Sequence, residues 1–233
     1  MEEIIFEQHS LLLFFIYLLS GLVGASICIY FFKMYRLFSS SHVFGLMIGF
    51  ALISFGDFFF SATLDLANQN ESYNLFHWSK LSITSYGFAF LALVYYFQKS
   101  TEKKFSLVIK SMLLSLIPVI SLLLLVTVIE NIGIPPFQQY NEYFRVVNMI
   151  SIGYVVFRTF SNPTIKTRKE LILLPLGFVI LLSSQFIRFL FTIDPIILTL
   201  ELSGILKIIA LAIIIFILTR DSKKTENMEL KYG

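Results

Sequence analysis

Residues 196–219 read IILTLELSGILKIIALAIIIFILT and end on Arg220. Coiled as an α-helix at 1.5 Å per residue, this stretch reaches about 36 Å, more than the roughly 30 Å hydrocarbon core of a bilayer. It is apolar on every side, which suits lipid better than the one-faced burial of a soluble helix. Its only ionisable groups are Glu201 and Lys207.

Working outward, six more stretches of the same kind precede it, at residues 10–32, 42–66, 76–97, 105–128, 140–160 and 171–193. The connections between them alternate in charge. Lys33, Arg36, Lys99, Lys103, Lys104, Arg158, Lys166, Arg168, Lys169, Arg220, Lys223, Lys224 and Lys231 fall on every second connection or in the tail. The intervening connections hold acids and amides, including Asp65, Glu71 and Glu130, and no base. Lysine and arginine mark the cytoplasmic side. The expected fold is therefore an all-α, polytopic membrane protein: a seven-transmembrane-helix bundle with its amino terminus outside and its carboxyl terminus in the cytoplasm. Residues 1–219 form the transmembrane domain, and 220–233 a short, charged, disordered cytoplasmic tail.

The composition agrees. Of 233 residues, 57% are hydrophobic and 14% charged, with a mean hydropathy of +0.80. A soluble domain could not cover so much apolar surface, so lipid is expected as its solvent. Seven crossings leave no room for a separate catalytic domain. The net charge of +3 resides in inner loops, where it sets orientation and meets anionic lipid, and no nucleic-acid surface is expected. Cys28 is the single cysteine, which excludes an intramolecular disulfide. Glu2, Glu3 and Glu7 replace the positive region that a cleaved signal peptide requires, so the first segment reads as a retained helix. Asn70-Glu71-Ser72 is a glycosylation sequon on the expected outer side.

The second and sixth segments resemble each other. Residues 49–58, GFALISFGDF, align with 177–186, GFVILLSSQF, and set Asp57 opposite Gln185. Gly87 and Gly204 lie in the segments that follow. This suggests parallel three-helix units, segments 1–3 and 5–7, separated by segment 4, one of the known transporter plans.

Charges at membrane depth cost about 2.5–3.5 kcal/mol each on insertion scales and call for a partner or water. Counted along their segments, Asp57 and Lys207 fall near the midplane, while Arg145, Arg188 and Glu201 fall nearer the outer surface. Helical spacing adds Ser54 and Ser61 to the face of Asp57, and Asn141, Asn148 and Ser151 to the face of Arg145. The expected site is an outward-open polar pocket between segments 2, 5, 6 and 7, built from Asp57, Arg145, Asn148, Gln185, Arg188, Glu201 and Lys207. Two arginines suit an anionic ligand. Lys80, Lys110 and Arg158, each near a segment end, are expected to snorkel, though Lys80 and Thr84 could also reach the pocket from its outer end. Trp78, Tyr95, Tyr96 and Tyr154 are expected as interfacial anchors.

A lysine midway along a seventh segment resembles the Schiff-base lysine of microbial rhodopsins. The resemblance covers topology and Lys207 alone: Ser203 stands where that family has an acid, and Trp78 is the single tryptophan. Retinal on Lys207 is therefore not expected, nor any other cofactor. Gly56-Asp57 resembles a motif of lysoplasmalogenase-type membrane hydrolases. That family's second aspartate is here Gln185, and a lone carboxylate is weak equipment for hydrolysis. His9, His42 and His77 are dispersed, so neither catalytic nor metal-binding residues are assigned.

The function expected first is a stand-alone sensory or receptor-like module of the cell membrane, signalling through a membrane or cytoplasmic partner. A small solute or proton-coupled transporter comes second, and a non-catalytic accessory subunit of a membrane complex third.

Overall fold

The computed structural model describes residues 2–63, 70–97, 104–129, 137–162, 171, 173–193 and 197–232. Among them the chain is all-α, in seven helices: α1 (Glu2–Phe38), α2 (Ser41–Thr63), α3 (Asn70–Tyr96), α4 (Lys104–Ile129), α5 (Phe137–Phe160), α6 (Leu174–Ile193) and α7 (Ile197–Tyr232). Four of them hold stretches long and apolar enough to cross a membrane: Leu11–Phe38, Ser41–Ala62, Leu174–Ile193 and Leu198–Arg220. α3 and α5 match these in length but carry Lys80, Glu142, Arg145 and several amides. Large apolar side chains such as Leu19, Ile29, Phe55, Ile117, Phe157 and Phe216 are exposed, as a lipid-facing surface requires.

Helix ends follow local chemistry. α1 runs six residues past the expected boundary, because Lys33 and Arg36 do not interrupt a helix and favour its carboxyl end. It stops where Ser39 turns to φ 47° and gives its N–H to the Tyr35 carbonyl at 2.8 Å, a left-handed cap. α6 begins at Leu174 rather than 171, with Pro175 in its first turn, where a missing N–H costs nothing. α3 starts at Asn70, six residues before its apolar stretch, so the sequon lies in helical backbone. α7 continues to Tyr232, so the tail expected to be disordered is helical. Residues 221–232 contain no glycine or proline and several good helix formers. The expected turn at Asp194-Pro195 and most of the connections carrying Lys99, Glu130 and Lys166 lie outside the described residues.

The helices form a ring in the order α1, α2, α3, α5, α6, α7 and back to α1, and α4 packs outside it, chiefly against α3. Small residues let neighbours approach closely, the usual basis of helix association in lipid. A Cβ at Gly49 would lie 2.6 Å from Leu91 Cγ, and one at Gly21 2.9 Å from the Phe58 ring. Gly24 and Gly204 abut Ser54 and Ile16 in the same way. One continuous apolar core fills the ring towards the end bearing the basic connections, from Ile27 and Phe50 through Phe88 and Phe178 to Ile214. A smaller one joins Trp78, Leu81, Val119 and Phe144.

Two expected anchors belong to these cores instead of an interface. Trp78 is buried with its ring edge-on to Phe144, and Tyr95 is buried against His42 and Phe178. Tyr96, by contrast, is exposed.

Candidate ligand site in the helix ring

The half of the ring away from the basic connections is filled with polar side chains. Helical spacing puts Ser54, Asp57 and Ser61 on one face of α2, and all three are buried. Lys207 of α7 reaches Asp57, its Nζ 2.7 Å from Oδ1 and 2.5 Å from Oδ2. Ser20 of α1 donates to Oδ2 at 2.7 Å. The carboxylate thus joins three helices, and the Asp57–Lys207 pair neutralises itself.

The next layer is not neutral. Arg188 of α6 donates from Nη2 to the Tyr17 hydroxyl of α1. The Tyr17 ring stands edge-on to Phe60, centroids 4.6 Å apart. Over both rings lies Lys80 of α3, its Nζ 3.6 Å from the Tyr17 centroid and 3.1 Å from that of Phe60. Lys80 Nζ and Arg188 Nε are buried without a hydrogen-bond partner among the described residues. Lys80 also interacts electrostatically with Arg188, Asp57, Arg145 and Lys207.

On α5, Arg145 Nε donates to Asn141 Oδ1 at 3.0 Å. One turn away, Asn148 Nδ2 approaches Gln185 Oε1 at 3.4 Å, and Asn148 Oδ1 has no partner. Ser184 Oγ donates to the Ser203 carbonyl at 2.8 Å, tying α6 to α7. Glu201 is buried on α7.

All seven side chains singled out from sequence are buried, none more than 7% exposed. They are enclosed, where an outward-open pocket was expected, because α1 and α3 close the ring around them. Those two helices supply what sequence reasoning missed or misplaced. Tyr17 and Ser20 carry no charge and raised no alarm, although they share a face with Gly21 and Gly24 at helical spacing. Lys80 does not snorkel: its side chain is buried, with Nζ turned inward over the Tyr17 and Phe60 rings. Lys110, in contrast, is exposed on α4.

Two cavities lie away from this cluster. An open groove of about 540 Å³ between α3, α4 and α5 is lined by Ala92, Ile117, Pro118 and Ile150 among others. A cavity of about 290 Å³ occupies the basic end of the ring. Set against known protein families, curated proteins and solved structures, the chain matches none.

Proposed function

We propose that this is a multi-pass protein of the cell membrane that crosses with all seven helices, amino terminus outside, and binds a small anionic ligand within the ring as a receptor-like module. The orientation rests on the alternation of basic and acidic connections. The observation that carries the ligand class is a charge imbalance. Among the described residues, Lys80, Arg145, Arg188 and Lys207 are buried together with two acids, Asp57 and Glu201. One of the four cations, Lys80, has aromatic faces but no hydrogen-bond partner for its Nζ. Isolated charge in a low-dielectric interior is costly, and an entering anion would remove the excess. Intramembrane ionisable residues mark function more often than they serve packing.

Purified protein titrated with propionate, lactate, succinate and inorganic phosphate tests this reading. One or more should raise the unfolding temperature in wild type and fail to do so in Arg188→Gln. Absence of any saturable shift across the panel would remove the anion reading.

The ring order favours a second reading, a carrier. A half-turn about the ring axis takes α1 to α5, α2 to α6 and α3 to α7, the pairing that the aligned 49–58 and 177–186 stretches require, with α4 left over. Uptake of the binding anion into sealed vesicles, abolished in Asp57→Asn, separates carrier from receptor.

A further inference from the structure

The groove between α3, α4 and α5 exists because α4 packs chiefly against α3 and only slightly against α5. Its volume is about 540 Å³, and it opens on the outside of the ring, where Ile117 and Ile150 are more than half exposed. Small side chains of α3, Ala89 and Ala92, leave the space. Pro118 of α4 and Val147 of α5 line its far end. They lie about 20 Å along their helices from the basic-side ends, Lys104 and Phe160, at 1.5 Å per residue. That is the depth of one leaflet in a bilayer roughly 40–45 Å thick with its interfaces.

We propose that this groove retains one anionic phospholipid of the leaflet on the basic side, an acyl chain lying between α4 and α5 and the phosphate held at the mouth by Lys110 and Arg158. Charge complementarity argues for that occupant. On α4, Lys110 shares a face with the lining residues Leu114 and Ile117, at i, i+4 and i+7. On α5, Arg158 shares one with Tyr154 and Val147 by the same rule. Both bases lie between the lining residues and the basic-side ends of their helices. Lys110 is exposed and Arg158 partly so, and such stems follow an apolar wall while the charged head reaches the headgroups. At the same end Tyr96 of α3 meets Tyr154, ring centroids 6.3 Å apart, at the level where tyrosines contact headgroups. Basic pockets between membrane helices bind anionic headgroups in this way. A zwitterionic lipid fills the hydrocarbon part equally well but offers the two bases no net charge. The proposal rests on α3, α4 and α5 crossing the membrane, and it is independent of the polar cluster.

Full-length protein in micelles is titrated with phosphatidylglycerol and with phosphatidylcholine of the same chains, and retained lipid is counted by native mass spectrometry. One phosphatidylglycerol should be held in preference to phosphatidylcholine, by about fivefold for each of the two bases. Lys110→Gln and Arg158→Gln should each lose that factor. Ala92→Phe, which fills the groove from α3, should abolish retention of both lipids, and Ile150→Phe on the exposed wall serves if that variant does not fold. Lys33→Gln/Arg36→Gln, which takes two exposed bases from α1 on the same side, should change nothing. Equal retention of the two lipids, an equal loss in the α1 variant, or a second copy of the chain in place of lipid would each overturn the proposal. A spin label at Ile117→Cys, with Cys28→Ala, reports on α4 in vesicles: oxygen should reach it and a water-soluble relaxation agent should not. Lost lipid preference with that signature kept removes the lipid site alone, whereas loss of the signature removes the membrane crossing of α4 as well.

Discussion

Arg188 and Tyr17, 171 positions apart, meet in a hydrogen bond from guanidinium to phenol that joins α6 to α1, two helices that are not neighbours in the ring. The bond passes through the interior, so it ties together two helices that α7 separates. Tyr17→Phe removes the acceptor while keeping the ring on which Arg188 and Lys80 rest. Hydrogen bonds to charged groups contribute about 1.5–3 kcal/mol, and Tyr17→Phe should lose an amount in that range in reversible unfolding. In Arg188→Met the same substitution should cost almost nothing, since the donor is already gone.

The Asp57–Lys207 pair should show the asymmetry of buried ion pairs. Asp57→Leu leaves a buried ammonium and should destabilise by about 3–5 kcal/mol, whereas the double variant Asp57→Leu/Lys207→Met should recover most of that loss. Thermal unfolding of the two singles and the double decides it. Additive losses would mean that the two residues do not act as a unit.

Lys80 should behave in the opposite way. Its aromatic faces contribute about 0.5–2 kcal/mol, against the burial of an ammonium with no hydrogen-bond acceptor. Lys80→Met should therefore leave the ligand-free protein at least as stable as wild type while removing the anion-induced rise in unfolding temperature. A drop as large as that of Asp57→Leu would show that Lys80 holds the fold.

Two glycines on the ring make a matched pair. Gly49→Ala drives a methyl group into Leu91, which is fully packed, and should cost about 1–3 kcal/mol by overpacking. Gly153→Ala meets nothing within 4 Å and should be neutral or stabilising by up to about 1 kcal/mol through helix propensity. Denaturation of both variants under one set of conditions gives the comparison.

Much of this architecture could be read from the chain because apolar stretches in lipid have a length set by the bilayer, and basic residues interrupt them at regular intervals. The partnership of Asp57 with Lys207 followed from matching depth. What escaped was which side chains near segment ends turn into the ring. Residues 70–75 are hydrophilic, so hydropathy started α3 at Phe76, which put Lys80 near an interface and Trp78 beside it. Both instead lie on inward faces of α3, Lys80 over Tyr17 and Phe60 and Trp78 against Phe144. Tyr17 and Ser20 were hidden for a different reason: an uncharged hydroxyl in a membrane helix can satisfy itself locally, as Ser54 does with the Phe50 carbonyl, so its presence predicts no partner. Enclosure of the polar cluster depends on how α1 and α3 close the ring, which no single segment records.

The distance along the chain between Asp57 and Lys207 has a consequence for biogenesis. They are 150 residues apart, and translation at about 5–20 residues per second puts roughly 8–30 s between their emergence from the ribosome. Throughout that interval the acid lacks the ammonium to which it is bonded in the folded protein. Ser20, already synthesised and on the adjoining helix, is placed to donate to it in the meantime. α7 then completes the neutralisation, so a chain cut before Lys207 leaves Asp57 without its ammonium partner.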